Sequence, residues 1–169
     1  NLYFKELGLG ESTIGRVLST AAGGTCVVSI PAAVLIDRFP AQRVLMAAAF
    51  FGMLGYAGQL LPVPVAWVAV ASGVAGAGFT VHNIAAAPFF MANARAEERL
   101  ELFGLHPAVE TLAGVVGALG GGLLPRLVVA HGGTAVAGYR LTLGLAALCM
   151  LISFVPYLAI RATPGTGRR

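Results

Sequence analysis

The chain has 169 residues, of which 57% are hydrophobic and only 11% are charged, and its formal net charge is +4. A soluble domain carries about 25% charged residues, so a mean hydropathy of +0.84 excludes an ordinary soluble protein and favours lipid as the solvent. The basic residues stand singly or in pairs at the edges of apolar runs, which argues against a nucleic-acid-binding protein.

Five apolar runs are long enough to predict membrane-spanning helices, because each approaches the roughly 20 residues that a helix needs to cross the hydrocarbon core. Pro62 and Pro64 separate the second run from the third, and Pro125 is expected to end the fourth. We therefore predict one all-α transmembrane domain over residues 1–169, a polytopic helix bundle. Its predicted spans are about 15–36, 44–61, 65–91, 102–124 and 141–160.

The basic residues of the loops predict how these spans are oriented. The larger group on one side of the membrane is Arg38, Arg43, Arg95, Arg99, Arg161, Arg168 and Arg169. The smaller group on the other side is Lys5, Arg16, Arg126 and Arg140. By the positive-inside rule the larger group faces the cytoplasm. We expect an integral, multi-pass protein of the cell (inner) membrane, with its N-terminus outside and its C-terminus in the cytoplasm.

A compact group of charges lies between the first two spans, in the stretch AAVLIDRFPAQRV. This stretch resembles the loop signature that joins the second and third helices of each six-helix half in the major facilitator superfamily. The signature consists of glycine, three residues, Asp-Arg, one residue, a second glycine and further basic residues. Asp37 and Arg38 match its centre and Arg43 keeps one basic charge, whereas Ala33 and Pro40 replace the two glycines.

Other segments extend the resemblance over nearly the whole chain. NLYFKELGLGESTIG is similar to the outer end of a first helix and its loop, and LAGVVGALGGGLLP is similar to a glycine-rich fifth helix. The chain thus resembles helices two to six of one half, which we interpret as the N-terminal half. The resemblance implies a fragment of a secondary active transporter that moves a small solute by alternating access. Its expected partners are the lipid bilayer, the missing first helix and second half of the same transporter, and a small-molecule substrate.

The resemblance also implies that Asp37, Arg38 and Arg43 form a conformational latch between the two halves of the transporter. A short loop at the cytoplasmic face can hold an ion-pair cluster because water is near. There the Asp37 carboxylate can pair with a cation or accept hydrogen bonds from a helix N-terminus. The alternative is that these residues only anchor helix ends and set the topology, which Arg38 and Arg43 are expected to do in either case.

Polar residues within the spans are candidates for a substrate or proton pathway. They are concentrated in the first, third and fourth spans, which predicts that these spans face the protein interior. The third span contains Thr80, His82 and Asn83. If this span is centred near Gly78, His82 lies about 6 Å from the midplane towards the cytoplasm. Its imidazole can carry a proton or bind a substrate, or it can form a hydrogen bond that bridges two helices.

Glu110 is the acidic residue of the fourth span. An unpaired carboxylate in hydrocarbon becomes protonated or finds a partner, and the depth of Glu110 allows a pair with His82. The alternative depends on Pro107, because proline favours the first turn of a helix and would place Glu110 at the positive N-terminal dipole.

His106 and Glu110 share one helix face with three glycines, because all five recur every three or four residues. The glycine part of this face is expected to pack against another helix, for which the TAAGG segment of the first span is a candidate. The glycines are Gly114, Gly117 and Gly121.

The sequence contains no motif typical of an enzyme. It has no phosphate-binding glycine loop with lysine, no His-x-x-x-His pair and no Gly-x-Ser-x-Gly. We therefore predict no catalytic residue, no metal, no cofactor and no nucleic-acid partner. The alternative to a transporter is a self-contained five-span assembly or interaction subunit without transport activity. An intramembrane enzyme that uses His82 and Glu110 is the least favoured hypothesis.

Overall fold

The structure, a computed structural model, describes residues 2–61 and 64–159. Within these ranges every regular element is an α-helix, because a backbone in lipid must satisfy its own hydrogen bonds. Pro62, the end of the fifth predicted span and the predicted cytoplasmic residues Arg161, Arg168 and Arg169 lie outside the described residues. The helices are α1 (Leu2–Glu6), α2 (Glu11–Arg38), α3 (Ala41–Gly58), α4 (Val65–Asn93), α5 (Arg99–Ala130), α6 (Ala135–Ile152) and α7 (Phe154–Ala159).

Four helical segments of the described chain are long and apolar enough to cross a membrane. They are α2, α4, α5 and the segment Ala135–Leu158, which joins α6 to α7 across a short break. They correspond to the first, third, fourth and fifth predicted spans. Helix α3 is not among them, because its 18 residues include the polar Gln42 and Arg43. At about 27 Å it approaches the thickness of the hydrocarbon core, and its crossing of the membrane remains a prediction.

Four prolines lie within the long helices. Pro31 is inside α2, Pro88 is inside α4, and Pro107 and Pro125 are both inside α5. The prediction that Pro125 ends the fourth span is therefore wrong, since α5 continues to Ala130. Interior prolines are tolerated in membrane helices because neighbouring helices, hydroxyl side chains and small local adjustments satisfy the freed backbone groups.

Helix α4 packs between α2 and α3, and small residues allow the three backbones to approach closely. A Cβ added to Gly55 of α3 would lie 2.5 Å from the backbone nitrogen of Ala75 in α4. One added to Gly76 of α4 would lie 2.7 Å from the carbonyl oxygen of Ala21 in α2. Because lipid tails are as apolar as helix surfaces, van der Waals packing of this kind is what holds membrane helices together.

The second half of the chain adds α6 and α5 to this core. Helix α6 packs against α3, and α5 packs mainly against α6. Gly138 of α6 contacts Pro125 of α5 so closely that a larger residue at position 138 would collide with the α5 backbone. Residues 111–119 of α5 are all exposed.

The predicted packing of the α5 glycines against the TAAGG segment of α2 is wrong. Helix α5 makes no contact with α2 within the described ranges, because α4 covers the small-residue surface of α2. A Cβ added to Gly114 or Gly117 would meet no atom within 4 Å, and one added to Gly121 would meet only Thr142 Cγ2 of α6, at 3.9 Å. The expectation that the fourth span faces the interior of a complete transporter stays a prediction, because the structure contains this chain alone.

Candidate functional site

A pocket of about 360 Å³ opens between α3, α4, α5 and α6. It exists because α5 meets its neighbours near its two ends. Near the first end, the His106 ring packs edge-on against Phe90 of α4, with ring centroids 4.9 Å apart. Near the other end, Pro125 contacts Gly138 of α6. Between these points α5 scarcely touches α4, and the space left between them is the pocket.

Three titratable side chains from two helices line this pocket, namely His82, His106 and Glu110. His106 and Glu110 are one turn apart on α5 and therefore lie on the same face of the helix. The third residue, His82, belongs to α4 and lines the same pocket. In the part of the chain that the structure describes, no hydrogen bond or ion pair links the three. The structure thus brings His82 and Glu110 into one pocket and adds His106.

The position of Glu110 excludes a capping role at a helix N-terminus. Because α5 begins at Arg99, Pro107 is an interior residue and Glu110 lies about 16 Å along the helix. The helix dipole acts only within the first turn, so the dipole alternative is wrong. His82 is about the same distance from the end of α4 at Asn93. The two side chains therefore lie at similar heights above the turn that joins their helices.

Two further polar side chains line the pocket, and neither was predicted from the sequence as a site residue. Tyr56 belongs to α3, and Ser153 lies at the break between α6 and α7. The Ser153 hydroxyl donates to the carbonyl oxygen of Met150 at 2.6 Å. The sequence indicates these two residues only weakly, since its sole sign is that each is a polar residue in an otherwise apolar run.

Thr80 and Asn83 do not line this pocket, although both are close to His82 in sequence. The Thr80 hydroxyl donates to the Gly76 carbonyl oxygen of its own helix at 3.0 Å. Asn83 is exposed. Since successive residues of a helix point in different directions, the neighbours of His82 face other surroundings.

The three residues of the predicted latch lie where α2 ends and α3 begins. Asp37 and Arg38 are exposed in the last turn of α2, and Arg43 is exposed in the first turn of α3. They form no ion pair with one another, since the ion pair found within residues 2–61 and 64–159 joins Lys5 to Glu11 at 3.4 Å. The expected cluster is therefore absent here, because consecutive helical side chains diverge and exposed charges remain hydrated.

The structure offers no protein site for a metal ion among the residues it describes. No group of three His, Cys, Asp or Glu side chains in these ranges is arranged to hold one. The three titratable residues of the pocket do not form such a group.

The chain is similar in sequence to one family of known proteins. A family model described as Major Facilitator Superfamily matches residues 2–169. The comparisons with curated proteins and with solved structures return no match. The family match covers the charged α2–α3 loop, the apolar helices and the pocket between α3 and α6. The chain is therefore an integral membrane protein that belongs to the Major Facilitator Superfamily, a family of transporters.

Proposed function

We propose that this chain is part of a secondary active transporter that moves a small solute by alternating access, and that the His82–Glu110 pocket lies on the solute or proton pathway. The observation that supports this most is that His82, His106 and Glu110 line one pocket between four helices. Ionisable residues at membrane depth are costly, and they commonly mark substrate or ion pathways. We expect no enzymatic activity.

The orientation that we propose places the N-terminus outside and the C-terminus in the cytoplasm of the cell membrane. The turn between α4 and α5, with Arg95 and Arg99, and the α2–α3 loop would then both face the cytoplasm. This arrangement follows the positive-inside rule. The same orientation puts the proposed latch, Asp37 with Arg38 and Arg43, on the cytoplasmic side.

The exposed middle of α5 supports the proposal that further helices complete the transporter. Gly114 and Gly117 leave a smooth surface that a neighbouring helix can approach closely. We propose that the first helix and the second half of the same transporter cover it. The same surface also favours the second candidate function, a membrane assembly subunit whose α5 binds a partner helix without transport.

Transport measurements on the intact transporter that contains this chain test the proposal. We expect His82→Ala and Glu110→Gln each to weaken pH-dependent uptake into proteoliposomes. The double variant should lose little more than either single one, because groups that act as one unit are not additive. Thr111→Val is a matched control, since its hydroxyl bonds to the Pro107 carbonyl oxygen of its own helix at 2.7 Å.

The pathway role is contradicted if the losses are additive and the pH profile stays unchanged. The assembly-subunit function is supported instead by two results together. Sealed proteoliposomes transport none of the tested solutes, and α5 binds a partner helix.

A further inference from the structure

A second cavity, which shares only Ala48 and Gly78 with the lining of the His82–Glu110 pocket, opens as a groove between α2 and α3. Its volume is about 510 Å³, and α4 forms its floor. Helices α2 and α3 follow one another in the chain but scarcely touch, because α4 packs between them. The groove is therefore the space that remains where these two helices diverge on one side of α4.

Each of the three helices presents one face to this groove. From α4, Val74, Ala77, Gly78 and Val81 line it at helical spacing. Ala47 and Ala48 of α3, which also line the groove, are small residues too. Large apolar side chains form its rim, including Leu35, Phe39 and Phe51.

Arg43 is the one charged residue that lines this groove within the described chain. It lies at the end of the groove near the α2–α3 loop and has no ion-pair partner among the described residues. From Arg43 to Phe51 the axis of α3 rises about 12 Å. One leaflet contributes about 15 Å of hydrocarbon, half of the membrane core. With α3 crossing the membrane as predicted, the groove extends from a cation at one membrane surface to near the midplane.

We propose that this groove binds one acyl chain of an anionic phospholipid from the leaflet that contains Arg43, with the lipid phosphate on the Arg43 guanidinium. The apolar lining suits an acyl chain, and the guanidinium fork suits a phosphate. The nearby loop region contains one acidic residue, Asp37, and two basic residues, Arg38 and Arg43, so its net charge is positive. This inference is independent of the function proposed for the His82–Glu110 pocket.

Arg43 must supply most of the selectivity for the lipid. An acyl chain gains little hydrophobic free energy when it moves from the bilayer into the groove, because both surroundings are apolar. Anionic lipids are drawn to basic residues near the surface by about 1 kcal/mol for each residue. The headgroup preference should therefore depend on Arg43, whereas occupancy by the acyl chain should depend on the free volume beside Ala47.

Native mass spectrometry of the purified, delipidated transporter that contains this chain, in detergent, tests this site. We titrate it with phosphatidylglycerol and with phosphatidylcholine of equal chain length. We expect one phosphatidylglycerol to be retained, with roughly fivefold preference over phosphatidylcholine, which corresponds to about 1 kcal/mol. Arg43→Gln should abolish this preference and Arg43→Lys should keep most of it. Arg95→Gln is the matched control, because Arg95 is an exposed arginine outside the groove.

A second variant tests the acyl-chain part of the groove. Ala47→Phe should reduce the retention of both lipids, whereas Ala137→Phe on the exposed face of α6 should not. Circular dichroism and gel filtration confirm that each variant is folded, and Ala47→Leu replaces Ala47→Phe if the larger residue prevents folding.

Three results would overturn the proposal. The first is a preference for phosphatidylglycerol that survives Arg43→Gln or is lost equally in Arg95→Gln. The second is full lipid retention after the groove is filled at Ala47. The third is a dimer that dissociates when Ala47 is enlarged, because the groove would then bind a second copy of the chain.

Discussion

Gly24 of α2 faces the backbone of Gly73 in α4, so that a Cβ added to Gly24 would lie 2.5 Å from the Gly73 carbonyl oxygen. Its neighbour Gly23 has no atom within 4 Å of the corresponding position. The two glycines are adjacent in sequence, yet only one of them lies at the helix crossing. Because the atom that blocks Gly24 belongs to a backbone, it cannot move aside as a flexible side chain would.

We expect Gly24→Ala to lower the free energy of unfolding by about 1–3 kcal/mol, the usual cost of overpacking a close contact. Gly23→Ala should leave it unchanged or raise it slightly, since alanine favours helix over glycine by about 1 kcal/mol. Unfolding of both variants in mixed micelles, followed by circular dichroism, measures the difference. Equal stability of the two variants would show that α2 and α4 do not cross at Gly24.

The capping residue of α6 allows a second stability prediction. The Thr134 hydroxyl accepts a hydrogen bond from the backbone nitrogen of Ala137 at 3.2 Å. Thr134→Ala should cost about 1 kcal/mol, whereas Thr134→Ser should cost much less because serine keeps the acceptor. The same micelle unfolding assay applies, with Thr111→Ala as the control. A loss in Thr134→Ser as large as that in Thr134→Ala would contradict the capping role.

The proposed orientation predicts which turns are accessible from each side. In a background with Cys26→Ala and Cys149→Ala, a cysteine at Ala96 in the α4–α5 turn should react with an impermeant maleimide only from the cytoplasm. A cysteine at His131, after the end of α5, should react only from outside. The reverse labelling pattern would invert the proposed topology.

The proposed latch predicts a change in the conformational balance rather than in membrane insertion. In the intact transporter, Asp37→Asn should shift the balance of inward-open and outward-open states by up to about fivefold, because exposed charge pairs contribute about 0.2–1 kcal/mol. Site-specific accessibility labelling measures this shift, and transport should change with it. Glu97→Gln, at an exposed acid of the α4–α5 turn, is the control. If neither accessibility nor transport responds to Asp37→Asn, only the anchoring role remains.

The sequence by itself determined the class of this protein and the existence of its long helices. Few charges and long apolar runs require a lipid solvent, and a backbone in lipid must be helical or form a closed barrel. These are local properties, because the transfer free energy of a segment depends on its own residues. The Asp37–Arg38 signature also indicates the family, which the family match confirms.

The neighbours of each helix were decided only by the tertiary structure. In water an amphipathic pattern marks the buried face of a helix, but in lipid both faces can be equally apolar. The glycines of α2 and α5 therefore look alike in sequence, although Gly24 lies at a helix crossing and Gly114 lies on an open surface. The role of Glu110 depended in the same way on where α5 begins. That start at Arg99, ahead of Pro107, places Glu110 in the interior of α5, on the pocket that His82 also lines, rather than at a helix end.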